Sequence, residues 1–284
     1  MAGSGNAQVE MDPTRIADGD VLEREHVLKV YDAIATHFSS TRYKAWPKVQ
    51  AFIESLPKYS MVADVGCGNG KYFACAQRRR TVPLANSNKN RDDINGVEAM
   101  VESNETEEAC RYVVGIDSSE GLLRLAQKQQ QQTTSPTEPS CATFIPRTDL
   151  LRADGRSTAF RSGIFDAVIS IAVIHHFATH ARRLEAVREL LRLVRPDGLV
   201  LISVWAKEQP KKRSRNDAAD VFIRWEMHEK HDKDKRVYHR YYHLFARGEL
   251  ERLAEEAGAV VRDSYYDKEN WCVVLGLAAP PHSV

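Results

Sequence analysis

No stretch of the 284 residues approaches the ~20 consecutive apolar positions that cross a bilayer. The first twenty residues lack the basic and apolar regions of a secretory signal. The expectation is a soluble protein of the cytoplasm, with the nucleus as a second compartment and no membrane partner. Cysteine is scarce: Cys67, Cys75, Cys110, Cys141 and Cys272 form an odd set with no C-x-x-C spacing, which suits a reducing compartment and offers no structural zinc site. His228 and His231 sit in a polar run that could hold a metal but reads more simply as a solvated loop, so no metal residue is assigned. Neither sign of charge dominates, with 40 basic and 39 acidic side chains. A net charge of +1 neither requires nor excludes nucleic acid, because binding depends on where charges lie. Arg78-Arg79-Arg80 and the run Lys207 to Arg215 are basic enough to grip phosphate, or are solvated loops.

What the chain does have is Asp64-Val65-Gly66-Cys67-Gly68-Asn69-Gly70, three alternating glycines between an apolar run and a helix-like segment. Glycine takes φ > 0 at little cost and lets backbone approach a ligand, and a helix start beyond such a turn suits an anionic group. A second apolar run ends on Asp117-Ser118, placed to accept hydrogen bonds from a ribose diol. Asp154 follows a third, and a fourth runs through Ile171 to His175-His176. Each acid has an alternative as a cap or turn residue.

The alternation of elements predicts one α/β domain over 20–284 after a disordered tail, 1–19, with flexible inserts at 78–110 and 127–140. Asp20 with Glu23 reads as the cap of a first helix, whose Val27, Val30, Tyr31, Ile34 and Phe38 recur at helical spacing as a packed face, and Trp46-Pro47 opens another. Strands are expected near 61–65, 112–116, 150–153, 167–171, 199–204, 260–265 and 271–277, the last pair antiparallel across Asp267-Lys268-Glu269.

Asp64 to Gly70, Gly115-Ile116-Asp117-Ser118 and Ala153-Asp154-Gly155 resemble the cofactor motifs of class I S-adenosylmethionine-dependent methyltransferases. Thr41-Arg42-Tyr43-Lys44-Ala45-Trp46-Pro47, the segment Ile169 to His176, Val204-Trp205-Ala206, Arg240-Tyr241-Tyr242-His243-Leu244-Phe245 and Asn270-Trp271 narrow the likeness. Together they resemble the fungal tRNA wobble-uridine carboxymethyl methyltransferases, which esterify 5-carboxymethyluridine in the anticodon. The resemblance runs from about Val21 to Gly276. It implies a Rossmann-like fold, a seven-stranded, mostly parallel sheet with an antiparallel last strand and helices on both faces.

It also implies S-adenosylmethionine as cofactor, the tRNA anticodon stem-loop as substrate and a small zinc-binding activator protein as partner in a heterodimer. Asp64 and the turn Gly66, Cys67, Gly68, Asn69, Gly70 would face the methionine end, Asp117 and Ser118 the ribose, Asp154 the adenine and Ile171 the region below the methyl group. A carboxylate acceptor is ionised at neutral pH and needs orientation rather than a base. Arg42 is the first candidate for an orienting clamp, or else a surface arginine at a helix end. Arg240 and Tyr242 could meet phosphate and base, or Tyr242 could be core. His176 could bond the uracil or carboxymethyl group, or cap a helix; Trp205 could stack on an everted base, or simply pack. Three other functions stay open: a methyltransferase of a small metabolite or protein side chain, a dinucleotide-dependent oxidoreductase, for which Gly66-x-Gly68-x-Gly70 has the wrong spacing, and a non-catalytic adaptor.

Overall fold

The computed structural model describes residues 13, 18–42, 44–77, 79–81, 106–108, 111–133, 148–209 and 218–278. The strands are β1 (Met61–Val65), β2 (Arg79–Thr81), β3 (Thr106–Glu108), β4 (Tyr112–Asp117), β5 (Thr148–Arg152), β6 (Phe165–Ile171), β7 (Val194–Trp205), β8 (Asp220–Glu226), β9 (Val237–His243), β10 (Ala259–Asp267) and β11 (Asn270–Leu277). Seven of them form one sheet in the order β10-β11-β7-β6-β1-β4-β5. β1 pairs in parallel with β4 and β6, and β11 runs antiparallel to both β7 and β10. That is the expected architecture. The chain leaves β1 toward β4 and β5, then returns to β6 on the other side, so a crevice opens above the carboxyl ends of β1, β4 and β6.

The central strands are apolar on both sides, and their period of two divides the core. Ala167, Ile169 and Ile171 of β6 pack with Val49, Ile53, Phe73 and Leu123 on one face. Val168, with Val200, Ile202 and Val204 of β7, packs on Leu184, Val187, Leu190 and Leu253 on the other. The helices that cover these faces are α3 (Pro47–Ser55), α4 (Glu120–Thr133), α5 (His180–Leu193) and α6 (Glu249–Glu256). Pro47 begins α3, where its missing N–H costs no helical bond.

Over the crevice lies a long helix, α1 (Gly19–Glu23), continuing through a π-helical turn, Arg24–Leu28, into α2 (Lys29–Thr41). Its cap is Asp18, not Asp20: the Asp18 carboxylate accepts from the backbone N–H groups of Asp20 (2.8 Å) and Val21 (3.4 Å). Glu23 is thereby released from a capping role. It accepts both prongs of Arg182 at 2.6 Å and the Ala178 N–H at 2.7 Å, which ties the helix to the start of α5. Asp32 accepts from the Ser119 hydroxyl (2.5 Å) and Gly121 N–H (3.1 Å), and Ser39 accepts from Asn69 Nδ2 (2.8 Å). The roof is thus pinned at three points along the sheet edge.

Two elements differ from the sequence expectation. The glutamine run was expected in a loop, yet α4 carries through it to Thr133, because glutamine is a fair helix former and Leu122, Leu123 and Ala126 already anchor the helix. The strands β8 and β9 were not anticipated at all. They form a separate antiparallel ribbon, and Trp225, Met227 and Tyr238 pack against Val30, Tyr31, Ile34 and Phe38 of α2. Within the polar segment 78–110, β2 and β3 pair with each other. The tail 1–12, most of both inserts and the basic positions Lys211, Lys212, Arg213 and Arg215 lie outside the described residues. Among the described residues, no helix is long and apolar enough to cross a membrane.

Candidate active site

Beneath the roof, at the carboxyl ends of β1, β4 and β6, is a cavity of about 1060 Å³. At one end it is lined by Gly66, Cys67, Gly68 and Asn69 of the glycine turn, by Asp117 and Ser118 after β4, by Asp154 and by Ile171. Asp117 is fixed by the backbone it faces: one oxygen accepts from Gly68 N–H (2.9 Å), the other from Ser119 N–H (2.8 Å). Burial raises its carboxyl above the ordinary range while these amides oppose the shift.

Asp64 and Gly70 do not reach the cavity wall. Asp64 is buried behind the turn with Oδ2 unpartnered, and burial pushes its carboxyl up to about 7. Gly70 serves packing instead, since a Cβ there would stand 2.4 Å from the Phe73 ring. Asp154 reaches the cavity but is engaged by Arg156 at 2.6 Å, whose other branch reaches Glu185 at 3.3 Å.

The other end is aromatic and cationic, and the ribbon builds it. Because side chains alternate along β9, Arg240 and Tyr242 face the cavity, whereas Tyr241 and His243 turn to Asp220. Arg240 is 3% exposed, yet no carboxylate pairs with it among the described residues. Its Nη1 donates to the Tyr242 hydroxyl at 2.7 Å, its Nε is buried without a partner, and its guanidinium carbon lies 4.7 Å from the Trp225 ring centroid and 5.2 Å from that of Tyr242. Trp205 stacks on Tyr242 with centroids 4.4 Å apart and planes at 25°.

His176 Nδ1 lies 2.8 Å from the Tyr241 carbonyl, which can only accept, so Nδ1 carries the hydrogen. Burial, with Arg240 nearby, lowers the ring to about 3, so it is neutral and Nε2 is an acceptor. It receives the Tyr31 hydroxyl at 3.0 Å. In the neighbouring ring, the backbone N–H of Trp205 donates to His175 Nδ1 at 3.1 Å, leaving the hydrogen of this neutral ring on Nε2.

Arg42 also borders the cavity. Its guanidinium lies over the Phe38 ring at 5.6 Å and, among the described residues, donates to the Thr41 carbonyl at 3.4 Å, while its own carbonyl accepts from Asn69 at 3.4 Å. The Arg42 backbone thus meets the glycine turn, while its guanidinium lies at the aromatic end, over Phe38, which packs on Tyr31 and Trp225, and within electrostatic reach of Tyr242. Tyr43 lies outside the described residues. Sequence reasoning passed over Lys71, which lines the same end 4.7 Å from the Trp46 ring and 4.8 Å from that of Tyr72; burial lowers its ammonium to about 8, Asp64 opposing. It also took Tyr31 as a plain core position. His231 stacks on His37 at 4.9 Å, outside the cavity wall, and the described residues contain no cluster of three His, Cys, Asp or Glu suited to a metal.

These protonation states set a pH dependence. The two buried rings, His175 and His176, have folded-state values below 6.5, so as pH falls under 6.5 the unfolded chain takes up protons that the folded one refuses. Stability should then drop by up to about 1.4 kcal/mol per pH unit for each ring. His243 has the opposite sign. Although burial opposes its charge, Asp220 (3.0 Å) and Glu249 (2.7 Å) raise it above 6.5, a contribution present at lower pH and lost as pH rises through the folded value. Asp64, raised to about 7, acts in the same sense as His243 and offsets part of the rings' effect below neutrality, so the rings are read directly. Imidazole NMR signals of the folded chain from about pH 5 to 8.5 are expected to show no titration of His175 or His176, and protonation of either in that window contradicts the neutral rings.

A methyltransferase-domain family model matches residues 37–264. The tRNA (carboxymethyluridine(34)-5-O)-methyltransferase of Schizosaccharomyces pombe is 35% identical over 269 residues, covering 89% of this chain and 96% of the yeast one. The Xenopus tropicalis tRNA (carboxymethyluridine(34)-5-O)-methyltransferase alkbh8 is 34% identical over 326 residues, and the match spans 96% of this chain but only 44% of the frog protein. In fold, the chain is similar to one solved in the complex between the Haloferax volcanii Trm112 methyltransferase activator and its methyltransferase, with a TM-score of 0.56 at 13% identity, covering 90% of this chain and 99% of that one. By domain match and by 35% identity over nearly the full length of the fission-yeast protein, the chain belongs to the tRNA (carboxymethyluridine(34)-5-O)-methyltransferase family.

Proposed function

We propose that the protein transfers a methyl group from S-adenosylmethionine to the carboxylate of 5-carboxymethyluridine at the wobble position of tRNA. The observation that carries this reading is Arg240, a buried guanidinium on the cavity wall with no carboxylate among the described residues to pair with. A cation so placed is costly unless an anion joins it, and a bidentate acceptor matches its fork.

The opposite end fits the cofactor. A Cβ at Gly68 would have nothing within 4 Å, so the turn leaves room against the cavity where backbone can meet a ligand. Asp117, held by two amides, keeps lone pairs for the ribose hydroxyls, and the Oδ2 of Asp64 is an unfilled buried acceptor behind the methionine end. Lys71, beside the glycine turn, is placed for a carboxylate there; Arg42 lies over Phe38 within electrostatic reach of Tyr242, and Arg240, the buried guanidinium with an unpartnered Nε, is assigned as clamp for the acceptor. Asp154 must share its oxygens with Arg156 to meet the adenine.

When bound, the cofactor supplies an electrophilic methyl group on a sulfonium. The residues of the chain then have to orient and exclude. Arg240 holds the acceptor carboxylate, which needs no base at neutral pH. Trp205 offers a face for the uracil, and the roof keeps water out. Most of the rate enhancement would come from alignment, an effect able to supply roughly 7–11 kcal/mol.

The test incubates the full chain and labelled cofactor with tRNA lacking the ester, with and without a Trm112-type activator, and digests the product to nucleosides. Label in a base-labile uridine ester is the expected result; base-stable label, or none with the activator present, refutes the reading. The activator is proposed as a heterodimer partner on the family resemblance, and co-expression should yield a stable complex of one chain of each.

A further inference from the structure

We infer that Tyr31 is a positioning residue whose hydroxyl fixes the direction of a hydrogen-bond chain ending on Arg240, so that the site takes a carboxylate and rejects its carboxamide isostere. The inference deepens the proposed function and rests on Arg240 as the seat of the acceptor.

The direction of every bond in the chain follows from one fixed point. The Tyr241 carbonyl accepts from His176 Nδ1, so His176 Nε2 accepts, and Tyr31 must donate to it. A phenol has a single hydrogen. The 3.1 Å bond between the two tyrosine hydroxyls therefore runs from Tyr242 to Tyr31, and Tyr242 receives Arg240 Nη1 at its own oxygen. All hydrogens point away from the ligand end, and the lone pair of Tyr242 is directed to Arg240.

What this chain of residues presents to a ligand is donors only; the acceptors of the cavity wall, Asn270 and Gln209 among them, belong to other segments. Arg240 has no acceptor, and the hydrogen of His175 is on Nε2. A carboxylate, which only accepts, matches this lining. A carboxamide of the same shape brings two N–H groups that find no acceptor there, and a buried unpaired donor is penalised more than a missing bond. Tyr31 is the residue that enforces this. Were its hydroxyl removed, Tyr242 could rotate its own hydroxyl and offer either a hydrogen or a lone pair.

The experiment measures equilibrium binding of the full chain to two anticodon stem-loops, one bearing the 5-carboxymethyl group and one its carboxamide, for the wild type, Tyr31→Phe, Tyr242→Phe and the double variant. The wild type should prefer the carboxylate by about 100-fold. Tyr31→Phe, whose ring contacts with Phe38 and His176 at 5.2 and 5.1 Å survive, should cut the preference to about tenfold or less, with affinity for S-adenosylmethionine unchanged. The double variant should be no worse than Tyr242→Phe, because both cut one chain. A Tyr31→Phe ratio within about twofold of wild type, or a wild type that binds both RNAs alike, overturns the inference. A wild type that discriminates in binding but transfers no methyl group refutes the proposed function alone.

Discussion

Arg240→Met is expected to abolish methyl transfer while raising the stability of the free protein. The guanidinium is removed from water and faces no carboxylate among the described residues, a situation that costs several kcal/mol in a protein interior. The rings of Trp225 and Tyr242 offset part of that cost, at about 0.5–2 kcal/mol for each cation–π contact. Methionine keeps the packing between those rings and removes the desolvated charge. A gain of about 1–3 kcal/mol, a few degrees in midpoint, is therefore expected without ligands. Turnover should fall by about a thousandfold, since a desolvated clamp on a charged group contributes 2–5 kcal/mol or more. Affinity for S-adenosylmethionine should be unchanged, because Asp117 follows β4 whereas Arg240 and Tyr242 sit by Trp205 at the end of β7, with β6 and β1 between. Thermal unfolding and labelled-methyl transfer on one preparation check both halves. A variant that is less stable yet still active would remove Arg240 from the site.

How much of this was legible depends on how local each signal is. The sheet and its glycine turn were readable because apolar runs such as 167–171, buried on both faces, announce central strands whatever their neighbours do. The ribbon of β8 and β9 gave no such run. The residues of β8 are half-exposed and those of both strands mixed in type, and the ribbon is stabilised by packing on α2, a long-range contact that periodicity does not report. Tyr31 was read as one more aromatic on a helical stripe because its ring does pack on Phe38. Its hydroxyl has partners 145 and 211 residues away, which no window along the chain reveals. Arg240 was marked as a cation near aromatics, but that it lacks a counter-ion is a property of the folded chain. Asp18 rather than Asp20 caps the first helix, and Glu23, which read as part of that cap, instead meets Arg182, 159 residues away.

The two glycines at the head of the turn should separate folding from binding. Gly66 has φ +82°, and a Cβ added there would fall 2.1 Å from a Val173 methyl, inside the packed loop after β6. Backbone would have to move, and overpacking of 1–3 kcal/mol adds to about 1–2 kcal/mol for the left-handed conformation. Gly66→Ala is thus expected to lose about 2–5 kcal/mol and to express poorly. Gly68 is also left-handed, φ +57°, but a Cβ there meets nothing within 4 Å. Gly68→Ala should lose only the backbone component, about 1–2 kcal/mol, and should fold. Its methyl group would project from the cavity wall, beside the N–H that Asp117 accepts. Cofactor affinity should fall at least tenfold, from displaced ligand and a disturbed Asp117 together, about 1.4 kcal/mol or more. Calorimetric titration with S-adenosylmethionine and its demethylated product, alongside thermal unfolding, reads the two effects separately. Gly68→Ala binding both ligands as the wild type does, at normal stability, would mean that the open side of the turn is not where the cofactor approaches.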